Sequence, residues 1–334
     1  MILVTGGTGL LGAHLLYDLA QREQHIKAIK RNGSSLDTVR KIFGYYTSGV
    51  DDVWKKIEWI DADLMDYFSL EDAMEEVDNV YHCAAVVSFH KKDSHLMKET
   101  NIKGTRHIVN ACLAKGIKKL VYVSSIAALG RAENMEITTE NTAWKDSDKN
   151  SPYSLTKHGG ELEVWRGIAE GLSAVIVNPS VIIGPGDWTQ GSPELFSLVE
   201  KGLKFYTHGT NGYVYVRDVS KAMIELMESH ISGERFIVNG EDLSYLELFN
   251  MMAKAMKRKH PSIEVKPWMI AFAWRAYKVK SWISGKPPAV TKATARSSMQ
   301  SFSYSSEKLI NTLDFKFTAL QRAIQLTANC YKKS

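Results

Sequence analysis

Val4-Thr5-Gly6-Gly7-Thr8-Gly9-Leu10-Leu11-Gly12, near the start of a 334-residue chain, decides the fold. Its glycines satisfy two overlapping patterns: GxGxxG through Gly7, Gly9 and Gly12, and TGxxGxxG through Thr5, Gly6, Gly9 and Gly12. Before it, Ile2–Val4 is a short apolar run of strand character. After it, Leu10, Leu11, His14, Leu15, Asp18 and Leu19 recur at helical spacing. A strand that turns through glycines into a helix brings free N–H groups and the positive end of the helix dipole to one point. Missing Cβ atoms then let a diphosphate come close to the backbone. A glycine-rich turn alone is weak evidence, and the strand before it and the helix after it are the context the motif requires. The stretch therefore predicts a dinucleotide-binding turn, with Thr5, Gly6, Gly7, Thr8, Gly9, Leu10, Leu11 and Gly12 against the phosphates.

Outward from this turn the pattern repeats. Apolar runs at Ile2–Val4, Ile26–Ile29, Ile57–Ile60, Val80–Ala85, Leu120–Val123 and Val175–Val177 alternate with helical periodicity. Continuous apolar strands separated by helices imply a parallel sheet covered on both faces. The expected class is α/β: a Rossmann doubly wound parallel sheet with a smaller, mainly helical C-terminal substrate-binding domain. The nucleotide domain is expected over residues 1–179, with a chain return at about 213–240, and the substrate domain over 180–212 and 241–334. Arg131–Asn150 and Gly184–Gly191 read as surface loops. Asp218 reads as the N-cap of a helix running to about His230, and Phe236–Val238 as a last strand of the main sheet.

Composition is that of a globular protein: 44% hydrophobic, 24% charged, formal net charge +5. The mild positive excess suits an anionic cofactor or substrate, and no basic stripe points to nucleic acid. Three cysteines without metal-ligand spacing read as free thiols in a reducing, cytoplasmic setting, with no metal site. The first residues already read as strand, so no signal peptide is expected. Trp268–Ile283 is the most apolar long stretch. Arg275, Lys278 and Lys280 interrupt it, so it reads as an amphipathic helix serving as core or pocket lid, without stable membrane insertion.

The end of the second strand separates NAD from NADP. An acid there would bind ribose hydroxyls, and a base a 2′-phosphate. The chain has Lys30-Arg31-Asn32-Gly33-Ser34, two bases and no acid. An arginine fork suits a phosphate, which favours NADP(H), with NAD(H) possible if Lys30 and Arg31 are only solvated loop charges. At the end of the third strand, Asp63 is placed to accept from the adenine amino group, and Asp61 to cap a turn.

Tyr153-Ser154-Leu155-Thr156-Lys157 has the form YxxxK, which sets both side chains on one helical face. Such pairs also occur on ordinary surface helices. This one lies beyond the fifth strand, whose carboxyl end delivers Ser124 and Ser125, and ligands bind at that edge of open α/β sheets. A phenol near pKa 10 is a poor catalyst at neutral pH, and a neighbouring ammonium is expected to acidify it. His82 ends a buried strand without a second ligand, so a structural role is expected.

Together TGGTGLLG, DADL (Asp61–Leu64), HCAA (His82–Ala85), NIKGT (Asn101–Thr105), VSS (Val123–Ser125), YSLTK (Tyr153–Lys157) and NPSVIIGPG (Asn178–Gly186) resemble the extended short-chain dehydrogenase/reductases, also called the NAD(P)-dependent epimerase/dehydratase group, over roughly residues 1–240. The resemblance implies Tyr153 as acid-base, Lys157 as ribose ligand and tuner of Tyr153, Ser125 as carbonyl orienter, and Asn101 as support for the active-site helix and water. It also implies that Leu64, Cys83, Ala84, Ala85, Pro179 and Ser180 line the cofactor. A homodimer built through two helices of each subunit is common in the family.

NPSVIIGPG is similar to the dihydroflavonol reductase and 3β-hydroxysteroid dehydrogenase branch, whereas sugar-nucleotide epimerases more often have an arginine-led version of this segment. The expected reaction is therefore reversible reduction of a ketone or aldehyde to an alcohol on a small-molecule substrate. A nucleotide-sugar epimerase or dehydratase is the alternative, and an NADP(H)-sensing binding protein a further one. Val86, Trp188, Tyr206 and Tyr213 are the candidate substrate contacts besides Ser125, and the aromatic ones serve equally as core.

Overall fold

In the computed structural model the strands run as β1 (Ile2–Thr5), β2 (Ile26–Lys30), β3 (Ile57–Asp61), β4 (Asn79–His82), β5 (Lys119–Val123), β6 (Ala174–Pro179), β7 (Val181–Ile183), β8 (Phe205–Tyr206), β9 (Thr210–Tyr215), β10 (Glu234–Val238), β11 (Glu241–Ser244) and β12 (Ile263–Glu264). The helices are α1 (Leu10–Ala20), α2 (Asp37–Gly44), α3 (Val50–Trp54), α4 (Tyr67–Ala73), α5 (Ser94–Lys98), α6 (Thr105–Ala114), α7 (Pro152–Ala169), α8 (Glu194–Glu200), α9 (Val216–Glu228) and α10 (Tyr245–Met256), followed by Glu307–Leu313 and Leu320–Tyr331. The structure describes all residues except 23–24, 89, 131–135, 148–149, 267–268 and 270–297. The predicted amphipathic segment Trp268–Ile283 therefore lies, apart from Met269, outside the described residues.

Seven strands pair in the order β3-β2-β1-β4-β5-β6-β10, all parallel. This is the doubly wound order expected of alternating strands and helices. Successive residues of a strand point to opposite faces, and the core divides accordingly. Val4, Val121, Val175 and Val177 pack with α1 and α9. Leu3, Leu120, Tyr122, Ala174 and Ile176 pack with α4, α6 and α7. The strand order switches from one side of β1 to the other at β4, which opens a crevice at their carboxyl ends, where the glycine turn lies.

Beyond this sheet, β11-β9-β7 form a second, three-stranded sheet, in which β9 is parallel to β7 and antiparallel to β11. α10 packs against α8 and against Leu320–Tyr331. Among the described residues no helix is long and apolar enough to cross a membrane.

Three sequence expectations need correction. β4 stops at His82, not Ala85. The Cys83–Ala85 backbone turns off to lie against Gly6, where an added Cβ would sit 2.6 Å from Ala84 N. Asp218 does not cap α9, which starts at Val216 behind Tyr215. Its carboxylate instead accepts from the backbone N–H and hydroxyl of Thr318, both at 2.8 Å. The segment after residue 135 is not a free surface loop either. Thr138 and Glu140 are buried, Thr138 N donates to Ser303 O (2.9 Å), and Ile237 N donates to Glu140 Oε1 (2.8 Å). The last bond covers the open edge of β10, which would otherwise present unpaired donors.

Candidate active site

The glycine turn is built by close approach. Gly6 has φ +70, and a Cβ on Gly12 would overlap the Gly6 carbonyl. Gly9 is the N-cap of α1 and has no side chain to cap it, and the first turn holds no acid. The leading N–H groups of α1, those of Leu10, Leu11 and Gly12, are thus free of intrahelical partners and carry the positive end of the dipole. This donor set fits the diphosphate of a nicotinamide dinucleotide.

At the carboxyl ends of β2 and β3 lies an open cleft of about 610 Å³, lined by Arg31, Asn32, Gly33, Ser34, Asp61, Ala62, Asp63, Asp66 and Ser69. It is where the sequence reading places the adenosine. Lys30 is held by an ion pair to Asp61, so Arg31 is the base left facing this cleft. The turn-capping expectation is exchanged between the two aspartates: Asp63 Oδ1 accepts from Met65 N (2.9 Å), while Asp61 pairs with Lys30.

The expected catalytic pair, Tyr153 and Lys157, rests on α7. Ser151 caps it by accepting from Ser154 N (3.1 Å), and Pro152 follows as a pre-set first residue. Tyr153 therefore sits in the first turn, with its phenol beside the Ser125 hydroxyl. Ser125 leaves the end of β5 as the cap of a short 3₁₀ turn, Ile126–Ala128, accepting from Ala127 N (3.1 Å). Ser154 ties that turn to α7 by donating to Ala127 O (2.7 Å). Lys157, one turn along, is buried and donates to Val123 O (2.7 Å) and Tyr122 Oη (3.2 Å).

These contacts alter the expected tuning. Burial raises the Tyr153 phenol above its ordinary value, and the Ser125 hydrogen bond only partly offsets this. Lys157 is pulled down by burial to about 8, against the opposing charge of Glu161. The ammonium donates to the β5 carbonyl and Tyr122 rather than acidifying Tyr153, so the phenol is a proton holder at neutral pH.

Asn101 lies in a π-helical turn, Glu99–Gly104, a local widening often found at functional sites. Its side chain accepts from Val86 N (2.8 Å) and donates to Val86 O (2.9 Å) and Thr156 Oγ1 (3.1 Å). It thereby fixes the strand-to-loop exit Cys83–Val86 to α7. Gly160 makes this possible, because a Cβ there would overlap the Asn101 carbonyl.

His82 is structural in this arrangement. Ala84 N–H donates to Thr5 Oγ1 (3.3 Å), Thr5 hydroxyl to His82 Nδ1 (2.6 Å), His82 Nε2 to Thr105 Oγ1 (3.1 Å), and Thr105 hydroxyl to Asn101 O (2.8 Å). One neutral tautomer satisfies every bond, and burial first and Lys157 second lower its pKa to about 3.

The remaining expected residues are spread more widely. Ser180 N donates to Val238 O (3.1 Å), just past Pro179 at the end of β6. Tyr213 is 1% exposed within the core. Trp188 packs edge-on to Phe196 and Tyr331 and donates to Tyr45 Oη (3.2 Å). Tyr206 meets His208 edge to face. Sequence reasoning missed Tyr122, Glu161 and Arg235. Glu161 was within reach, since it stands four residues past Lys157 on the same helical face.

Comparison with known proteins accords with this geometry. The NAD dependent epimerase/dehydratase family model matches residues 2–239. Sterol demethylase protein B of Methylococcus capsulatus is 27% identical over 267 residues, covering 79% of this chain and 77% of that protein. Dihydroflavonol 4-reductase of Arabidopsis thaliana is 24% identical, covering 99% and 82%. Among solved structures, gox2253 superposes with a TM-score of 0.81 at 26% identity, covering 100% and 98%. UDP-glucose 4-epimerase of Thermus thermophilus in complex with NAD superposes at 0.74 with 24% identity, covering 100% and 99%. With its glycine turn, its sheet order and more than half its length matched, the chain belongs to the NAD dependent epimerase/dehydratase family and is an NAD(P)-dependent enzyme of the extended short-chain dehydrogenase/reductase type.

Proposed function

We propose that the protein reduces a ketone or aldehyde to an alcohol with NADP(H), reversibly, at a Ser125–Tyr153–Lys157 site. The observation that carries this reading is the Tyr153 phenol beside the Ser125 hydroxyl, with Lys157 anchored one helical turn away. The glycine turn holds the diphosphate, Arg31 the 2′-phosphate, and Asp63 and Leu64 the adenosine. Cys83, Ala84, Ala85, Pro179 and Ser180 line the nicotinamide side, and Lys157 with Tyr153 meets its ribose. When bound, the nicotinamide supplies hydride to the carbonyl carbon.

The chain's own residues do the rest. Ser125 orients the carbonyl oxygen toward Tyr153, and Tyr153 gives that oxygen its proton. A phenol raised by burial is fully protonated at neutral pH, which suits a proton donor in the reductive direction. The dihydroflavonol and cinnamoyl-CoA reductases among its relatives by sequence support this direction. Residues 1–179 and 213–240 form the nucleotide half, and 180–212 with 241–334 the substrate half; the substrate meets Val86 and Ser125, while Tyr213 stays in the core.

The test is a panel of carbonyl compounds with NADPH and NADH, followed by nicotinamide absorbance. Net oxidation of NADPH is expected with the parent and is lost in Tyr153→Phe while nucleotide binding persists. Conversion of a nucleotide sugar without net absorbance change would overturn the reductase reading.

A further inference from the structure

We propose that Glu161 is a positioning residue of this active site, a buried carboxylate that clamps the ends of β5 and β6 to the lysine-bearing face of α7. The proposal rests on the reading of Ser125, Tyr153 and Lys157 as the reacting site. The Glu161 side chain is 2% exposed and takes four donors on two oxygens. Oε2 accepts from the Ser124 hydroxyl (2.6 Å) and Asn178 Nδ2 (2.8 Å). Oε1 accepts from the Arg235 guanidinium (2.9 Å) and, at 3.4 Å, from Trp165 Nε1. A buried charge is tolerated only when so paired and bonded.

Each partner adjoins the chemistry. Ser124 precedes Ser125. Asn178 precedes Pro179, and its amide also donates to Ser125 O (3.0 Å). With acceptors on both sides, the Asn178 amide has one orientation. Three pieces of chain, the β5 end, the β6 end and α7, therefore converge on one carboxylate. Arg235 adds a fourth, because its guanidinium also donates to the Glu140 carbonyl and so ties the 136–142 segment to the same point.

Charge gives Glu161 a second effect. Four residues before it, Lys157 is buried, and the titratable groups facing it are His82 and Cys83 from the β4 end, Tyr122 from β5, and Glu161 on α7. Around Glu161 itself are Arg235 from β10, Tyr122 from β5 and the Glu140 segment. Of these, Glu161 is the carboxylate that opposes the loss of the Lys157 proton. Removing its charge lowers the Lys157 pKa and shortens the alkaline side of the activity profile.

The experiment compares the full-length parent with Glu161→Gln, Glu161→Asp and the double variant Ser124→Ala/Asn178→Ala. Glu161→Gln is expected to lower kcat by about tenfold to a hundredfold while the KM for NADPH moves less than about threefold, as misplacement of a reacting group does. Its high-pH limb should shift below the parent's by about one unit. Glu161→Asp should restore the limb in part. The double variant keeps the charge and loosens the clamp, so kcat falls and the limb stays. Acetic anhydride labelling of Lys157 across pH, read by mass spectrometry, reports the same shift without turnover. It therefore separates failure of this proposal from failure of the reductase reading, and Glu161→Asp serves if Glu161→Gln does not fold. A Glu161→Gln enzyme with the parent's kcat, pH limb and labelling profile overturns the proposal.

Discussion

The two ends of the nucleotide crevice are built on opposite physical terms. At the proposed nicotinamide end, Lys157, Glu161, Asn101 and His82 are buried and hydrogen-bonded to backbone or to neighbouring side chains. At the proposed adenosine end the charges are less enclosed: the Lys30–Asp61 pair has side chains 19% and 58% exposed, and Arg31 stands exposed at the rim of the cleft. Buried polar groups cannot be re-paired cheaply, so the chemistry is fixed by the fold. Exposed charges are screened and weak, so cofactor choice is adjustable by single substitutions. Mutational effects should therefore fall steeply from one end of the crevice to the other.

The largest effect is expected at Tyr153. Tyr153→Phe removes the proton donor and keeps the ring, and general acid catalysis contributes on the order of 10²–10⁴-fold. The turnover number should fall by about that factor, with the dissociation constant for NADPH little changed. Activity within about threefold of the parent would break the comparison at its strong end.

The buried network also makes stability depend on acid. His82 and His14 are held by burial at about 3 and about 4, against the ordinary 6.5. Their folded pKa values are depressed below the unfolded one, so the folded state refuses protons that the unfolded chain accepts. Stability is complete above about pH 6.5 and is lost as pH falls toward 4. At pH 5 each histidine costs about 2 kcal/mol. Urea melts at pH 7.5 and pH 5 would check this, and His82→Asn should flatten the dependence. Equal midpoints at both values would mean that these rings titrate normally.

How much of this was legible in sequence follows from where the partners lie. The glycine turn, the apolar strands and the Tyr153–Lys157 spacing are local patterns, and the sheet order grew out of them. Asp218 looked like a helix cap because its neighbours in sequence suggest one, but its partner Thr318 lies 100 residues away. The segment holding Thr138 and Glu140 looked like solvated loop because its partners, Ser303 and Ile237, are equally remote. Lys157 looked like an acidifier of Tyr153 because i, i+4 spacing brings the two together. The β5 carbonyl that accepts its hydrogen bond comes from another element, and no local pattern announces it.

Toward the exposed end the effects shrink. Arg31→Ala should raise the KM for NADPH about tenfold and leave that for NADH unchanged, since a charge-assisted bond to phosphate contributes about 1.5 kcal/mol or slightly more. Equal loss with both nucleotides would assign Arg31 to general electrostatics instead of the 2′-phosphate.

The smallest effect, and the most discriminating for this end, is expected from Asp61→Asn. Asp61 shares its cleft with Arg31 and holds Lys30 in an ion pair. Removing its charge breaks a partly exposed pair, so stability should change by about 1 kcal/mol or less. The same change removes a repulsive charge from the neighbourhood of a 2′-phosphate and frees a second cation. The KM for NADPH should therefore fall about twofold to fivefold and the fall should fade in high salt, because exposed charges are screened over about 10 Å at ordinary ionic strength. NADH, without that phosphate, should bind no better. A loss of NADPH affinity would place Asp61 among the groups that hold the nucleotide, and the adenosine end would then be as firmly fixed by its own residues as the catalytic one.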